Sequence, residues 1–224
     1  MRQLFFISLT CLLLACHKEK PEIIADNSII LPDSTKIATD YTAFKDSVQK
    51  HKRELASHPY EEISDYFFRL INDDIYSYWE GTPWDFYGTT RTPKTGAIAC
   101  GYFVTTTLED VGLKIQRREL AECRSGDMIK VLCTDIHSFT AREKLQTWLK
   151  AQPKNSVFII GLDFHTGYIV KDSANSYFMH SYYANNQGVI KEKVEDSPML
   201  QYNKYFMIGS LTANKKLLEK WVSE

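Results

Sequence analysis

From Asp40 onward, apolar side chains recur at helical spacing. Tyr41, Phe44, Val48 and Leu55 share one side and Lys45, Lys50, Lys52 and Arg53 lie elsewhere, which predicts an amphipathic helix that His58-Pro59 ends. A second helix follows from Glu61, with Ile63, Phe67, Leu70, Ile71, Ile75 and Tyr78 as its stripe and Asp65, Arg69 and Asp73-Asp74 opposite. The next stretch is rich in turn formers: Gly81-Thr82-Pro83-Trp84-Asp85-Phe86-Tyr87-Gly88, then Arg91-Thr92-Pro93-Lys94-Thr95-Gly96. After it Phe103, Val104, Leu108 and Val111 return to helical spacing, so a helix should open at Cys100 and stop at Gly112. Thr105 to Thr107 weaken its intrinsic propensity, so that helix must owe its stability to burial.

The pattern then shortens. Met128 to Leu132 reads as a strand and Ala141 to Ala151 as a helix with Leu145, Trp148 and Leu149 inward. Val157 to Ile160, Phe164 to Val170, Tyr177 to Tyr182 and Tyr205 to Leu211 read as strands, and Lys215 to Val222 as a closing helix. Helices first and antiparallel strands afterwards predict an α+β fold with helices packed on one face of a central antiparallel sheet.

The N-terminus changes the picture of the cysteines. Arg2 precedes an apolar run from Leu4 to Leu14, closed by Ala15-Cys16 and the charged His17-Lys18-Glu19-Lys20. Such a run is too short to span a bilayer and matches a secretory signal. Leu13-Leu14-Ala15-Cys16 resembles the bacterial lipobox, which implies cleavage before Cys16 and its acylation; the alternative is an ordinary signal with a chance cysteine. The expected organisation is a signal peptide over 1–15, a flexible tether over 16–37, a helical extension over 38–78 and a catalytic domain over 79–224. The chain would then be held at the membrane in the cell envelope. Export leaves Cys100, Cys123 and Cys133, of which Cys123 and Cys133 are close enough in sequence to pair if geometry allows. Any pairing leaves one thiol over, and local sequence nominates Cys100. Lysine plus arginine number 27 against 28 acids with no uncompensated basic block, which gives no support for a nucleic-acid partner.

Cys100 opens a predicted helix, where free backbone N–H groups and the helix dipole favour a thiolate. Its own N–H is a candidate oxyanion donor, and Gly101 beside it leaves room for a substrate backbone. Downstream, Asn155 to Val170 forms a hairpin turning at Gly161-Leu162-Asp163, and in its second strand His165, Gly167 and Ile169 share a face that can receive a helix. A following hairpin centred between Asp172 and Ser173 sets His165 opposite His180, close enough for one imidazole to hold the other in a single tautomer. A nucleophile, a base and an orienting group meet the general requirement for covalent acyl transfer. A one-residue slip would spoil it. His137 reads as a loop histidine, since no second ligand lies at metal-site spacing.

Gly81-Thr82-Pro83, the aromatic loop ending at Gly88, Gly96-Ala97-Ile98-Ala99-Cys100-Gly101-Tyr102-Phe103-Val104, His165-Thr166-Gly167-Tyr168-Ile169-Val170, Phe178-Met179-His180-Ser181 and Gly188-Val189 together resemble, in order and spacing, the motifs of the NlpC-like murein peptidases. The resemblance spans roughly residues 79 to 211. It implies a papain-like fold, no cofactor, peptidoglycan peptide stems as substrate, Cys100 as nucleophile, His165 as general base and His180 as its orienting partner. It also implies that an aromatic of the Trp84 to Tyr87 loop, such as Tyr87, touches substrate. Members that cut next to D-glutamate commonly carry aspartate before the cysteine and serine after it; here Ala99 and Gly101 stand there. The segment from Cys100 to His165 is also long, and Cys123 to Leu149 reads as an insertion over the groove. Two alternatives therefore stand beside murein hydrolysis: a catalytically silent lipoprotein that binds wall peptides or a partner, and a thiol amidase acting on another amide.

Overall fold

The computed structural model describes residues 34–224. The signal run, Cys16 and most of the expected tether lie outside the described residues. Among the described residues no helix is long and apolar enough to cross a membrane.

Helix α1 (Ser34–Glu54) begins inside the segment read as tether and ends, after a short 3₁₀ turn, at Pro59. The second stripe folds as α2 (Tyr60–Arg69), a π-helical segment over Leu70–Ile75 and α3 (Tyr76–Trp79). The remaining helices are α4 (Cys100–Asp110), α5 (Arg117–Glu122), α6 (Ser125–Leu132), α7 (Arg142–Ala151), α8 (Pro198–Tyr202) and α9 (Lys215–Ser223). Strands β1 (Thr134–Phe139), β2 (Ser156–Gly161), β3 (Thr166–Lys171), β4 (Ser176–Tyr182), β5 (Gly188–Lys193) and β6 (Phe206–Ser210) form one sheet in the order β1-β6-β2-β3-β4-β5, with every pair antiparallel. The α+β expectation holds at this level.

Three expectations change. Met128 to Leu132 is the end of α6, not a strand: Met128, Ile129 and Leu132 bury one helical side. A short apolar run fits either period, and here the helical one wins. Second, Thr134 to Phe139 forms the edge strand β1 despite its polar, largely exposed side chains. Third, helices cover both faces of the sheet rather than one. Val157, Ile159, Tyr168, Val170 and Met179 face the large layer containing α1, α2, α4, α6 and α9, whereas Phe158, Ile160, Ile169, Phe178, Phe206 and Ile208 face Leu145 and Leu149 of α7 and Leu200 of α8. The strands are apolar on both faces because both are covered.

The N-terminal helices share the core of α4. Tyr41, Phe67, Trp79, Phe103 and Trp221 are all fully or almost fully buried in the same cluster. Each such ring contributes about 2–3 kcal/mol by leaving water. Buried polar atoms are paired as well: Tyr41 donates to Asp110 Oδ2 at 2.7 Å and accepts from Trp79 Nε1 at 2.7 Å. The three threonines of α4 have no exposed surface, and the hydroxyls of Thr105 and Thr107 bond back to the carbonyls of Gly101 and Phe103.

Candidate functional site

The start of α4 is fixed from two sides. Ser181 of β4 donates to the carbonyl of Ile98 at 2.7 Å, and Tyr168 of β3 donates to the carbonyl of Val104 at 2.8 Å. The glycine-rich loop is tied to the same sheet end, since Gly81 N–H donates to Val189 and Val189 N–H to Thr82. Gly188 permits this approach: a Cβ there would lie 2.1 Å from the carbonyl oxygen of Thr82. These bonds deliver Cys100, at the first turn of α4, to the end of β2 and β3.

His165 is the last residue of the turn between these strands, where its carbonyl accepts from Leu162 N–H at 2.8 Å. Strand β3 therefore begins at Thr166, two residues later than expected, and Phe164 stands fully exposed at the turn. The β3–β4 register also differs. Tyr168 pairs with Met179 and Lys171 with Ser176, which centres the turn between Ser173 and Ala174. Asp172 explains it, because Oδ1 accepts from the N–H groups of Ala174 and Asn175 at 2.7 and 2.6 Å and sets an Asx-type turn one residue further on. His180 thus lies across from Gly167 and diagonal to His165. The shift is by two positions, so both rings keep the same face.

The rings meet all the same. His165 Nε2 and His180 Nδ1 are 2.7 Å apart. Gly167 makes the diagonal passable, since a Cβ there would come within 2.7 Å of the Cβ of His180. The His180 ring lies flat on Phe178, with centroids 3.9 Å apart and planes 8° apart, and its Nε2 is 3.3 Å from Oε1 of Glu192. The local sequence around Glu192 carries no sign of this contact. Reading Gly188-Val189 as the start of a strand paired with the one before would have placed it diagonal to His180.

Cys100 and His165 both line one cleft of about 600 Å³, with Gly101, Cys123, Arg124, Leu162, Phe164 and Thr166 among its walls. The face carrying His165 is opposite the one on which α4 packs, and the two residues share the cleft because His165 lies at the strand end. No hydrogen bond joins Sγ to the imidazole among the described residues; the backbone N–H groups of Thr166, Gly101 and Cys100 face the sulfur instead. Catalytic contacts in unliganded sites commonly tighten only when substrate binds. Burial pushes the Cys100 thiol up, and those N–H groups pull it part of the way back. Burial, followed by the neighbouring His180, holds His165 well below the usual imidazole range. Burial also lowers His180, with Glu192 opposing the shift. Both shifts favour the uncharged forms, thiol and neutral imidazole.

The other candidate residues are placed as follows. Trp84 packs against Tyr183 with centroids 5.7 Å apart, and Tyr183 approaches His165 edge-on at 6.5 Å. Tyr87 is 84% exposed and packs on Phe86, away from the cleft walls. Gly101 lines the cleft, and its side towards α5 is closed, since a Cβ there would sit 2.4 Å from the carbonyl oxygen of Ala121. Cys123 and Cys133 are free thiols, the first on the cleft and the second buried in the core. His137 Nε2 lies 2.7 Å from Asp135, and the described residues hold no cluster of three or more metal-ligating side chains.

Comparison of the chain with protein-family models, with curated proteins and with solved structures finds no match.

Proposed function

We propose that this chain is a thiol hydrolase of papain-like architecture that cleaves an amide bond, with peptides of the bacterial cell wall as substrate and a lipid on Cys16 holding it in the envelope. The observation that carries the reading is the 2.7 Å bond from His165 to His180 beside a cysteine that opens a buried helix on the same cleft. With His165 Nε2 engaged, Nδ1 is the ring atom left to take a proton. Among the described residues no buried polar side-chain atom lacks a partner and Nδ1 makes no side-chain hydrogen bond, so Nδ1 is accessible on a residue that lines the cleft.

In this mechanism Nδ1 removes the thiol proton as Sγ attacks the carbonyl carbon, since neither group is charged at rest. The Cys100 N–H, at the helix N-terminus, supports the developing oxyanion. The imidazolium then protonates the leaving amine, a thioester remains on Sγ, and water activated by the same ring releases the acid. His180 keeps the ring oriented and stabilises its charged form. The test is release of products from sacculi and defined muropeptides by the purified protein, identified by mass spectrometry. Cys100→Ala should lower release at least about a thousandfold; unchanged release in that variant would sink the reading.

A second reading is a silent binding protein that uses the same cleft. It draws on the raised thiol and on the missing bond from Sγ to the imidazole. Alkylation separates the two: a silent site gives Cys100 the same reactivity whether or not His165 is present.

A further inference from the structure

We infer that Glu192 is a positioning residue of the thiol site, fixing the tautomer of His180 and, through it, presenting the lone pair of His165 Nδ1 to the cleft. The inference rests on the acyl-transfer reading above and adds a group that neither the residue pattern nor the resemblance supplied.

Glu192, His180 and His165 share their protons along one line. Glu192 reaches His180 from β5, where it stands across from Phe178 and diagonal to His180. A carboxylate can only accept, so His180 Nε2 carries the proton of that bond. A neutral imidazole has one N–H, which leaves His180 Nδ1 as an acceptor. The 2.7 Å bond to His165 must then be donated by His165 Nε2. His165 in turn has spent its only proton, and Nδ1 carries a lone pair. Each link follows from the one before, and the acid at the far end sets the direction of all of them.

Several features hold the acid to this task. Its carboxyl lies below the usual range: burial alone would raise it, but hydrogen bonds from His180 and Ser197 outweigh that. Its side chain is about one-fifth exposed and that of His180 is not exposed at all, so the pair is weakly screened. The neighbouring lysines of β5 are engaged elsewhere, Lys191 with the carbonyl of Asn72 and Lys193 with Glu195. Other titratable groups near the two rings are Tyr182 and Tyr183 at the end of β4, and the cleft walls carry Cys100, Cys123, Arg124, Asp127, Lys130, Asp163 and Tyr205. Among the described residues Glu192 is the one acid that bonds to either ring. A glutamine in its place can donate as well as accept. If it donates, every bond in the line reverses and a proton comes to rest on His165 Nδ1, the atom that must be vacant for the thiol to lose its own.

The test combines ring ¹⁵N NMR with alkylation of the full folded chain by iodoacetamide. Trypsin places Cys100, Cys123 and Cys133 in separate peptides (95–114, 119–124 and 131–142), so labelling of Cys100 is read alone. The wild type should show His165 protonated on Nε2, and Glu192→Gln should show a mixture. Cys100 labelling at neutral pH should fall in Glu192→Gln in proportion to the fraction of His165 protonated on Nδ1, with its pH profile moved upward, and Glu192→Asp should recover part of the loss. A Glu192→Gln profile that overlays wild type, while His165→Ala differs from both, overturns the role of Glu192 and leaves the acyl-transfer reading intact. A His165→Ala profile that overlays wild type sinks that reading itself. If Glu192→Gln does not fold, the wild-type spectrum still decides, because His165 protonated on Nδ1 contradicts the inference.

Discussion

Replacing Gly167 with alanine tests the construction of the site without assuming what it does. The added methyl group would lie 2.7 Å from the Cβ of His180, 2.7 Å from the carbonyl oxygen of Met179 and 2.8 Å from Cε2 of Phe178. Two of those atoms belong to the backbone or to its first side-chain carbon, so no rotamer change relieves them. Strand β4 must move away from β3, or His180 must leave its place on Phe178. Overpacking of this kind costs about 1–3 kcal/mol. For a chain of this size about 2 kcal/mol lowers the melting temperature by about 4–8 °C. Either relaxation also stretches the 2.7 Å bond between the histidines, so His165-dependent labelling of Cys100 should fall together with stability. Urea unfolding and iodoacetamide labelling at neutral pH measure the two effects. Gly126→Ala serves as the stability control: its methyl group meets only the Met207 sulfur, at 3.0 Å, and a thioether can swing aside, so that change should cost no more than about 0.5 kcal/mol. A Gly167→Ala protein as stable as wild type and equally reactive at Cys100 would show that the diagonal contact does not depend on a missing Cβ.

Two further outcomes follow from the buried polar groups. Burial holds both His165 and His180 below the usual imidazole pKa, so the unfolded chain takes up protons first as pH falls. Stability is therefore intact above about pH 6.5 and is lost below it, by up to about 1.4 kcal/mol per pH unit for each ring, and urea unfolding of His180→Asn between pH 7 and pH 5 should show a shallower slope than wild type. At the far end of α4, Tyr41→Phe leaves Trp79 Nε1 without its acceptor and removes one donor from Asp110, which keeps Lys45 at 3.4 Å. Unsatisfied buried groups cost about 1–3 kcal/mol each, and a loss below about 0.5 kcal/mol in chemical denaturation would mean that this network adds little.

What could be read from the sequence follows the strength of the periodic signal. The stripes of α1, α2 and α4 are long enough for burial on one side to leave a clear pattern, and these helices occur where they were expected. Met128 to Leu132 was too short for its period to decide, and the Ser125-Gly126-Asp127 turn ahead of it, which extends the helix, reads equally well as a loop. β1 carried no apolar alternation to find: it holds its place at the sheet edge by pairing with β6, which a local pattern does not record. Coverage of both faces was visible in part, because β2 is apolar at consecutive positions from Val157 to Ile160, a run that suits a strand buried on both sides better than one facing a single layer.

The site shows why residue types were easier to read than register. A turn is decided by a few local hydrogen bonds, and Asp172 moved this one by a single residue, which changed the partner of every position in β3 by two. An even change leaves each side chain on its original face. His165 and His180 therefore stayed on common ground, and the lost direct opposition became a diagonal that imidazole rings are long enough to bridge once the intervening position has no side chain. Glu192 gives no local signal for the same reason. In isolation Lys191-Glu192-Lys193 reads as a solvated strand end; its meaning arises only when β5 is paired with β4, where alternation turns both lysines away from the histidine face and turns the acid towards it. Three adjacent antiparallel strands, by their parity rather than their exact pairing, thus bring a carboxylate and two imidazoles into one line that ends on the cleft Cys100 also lines.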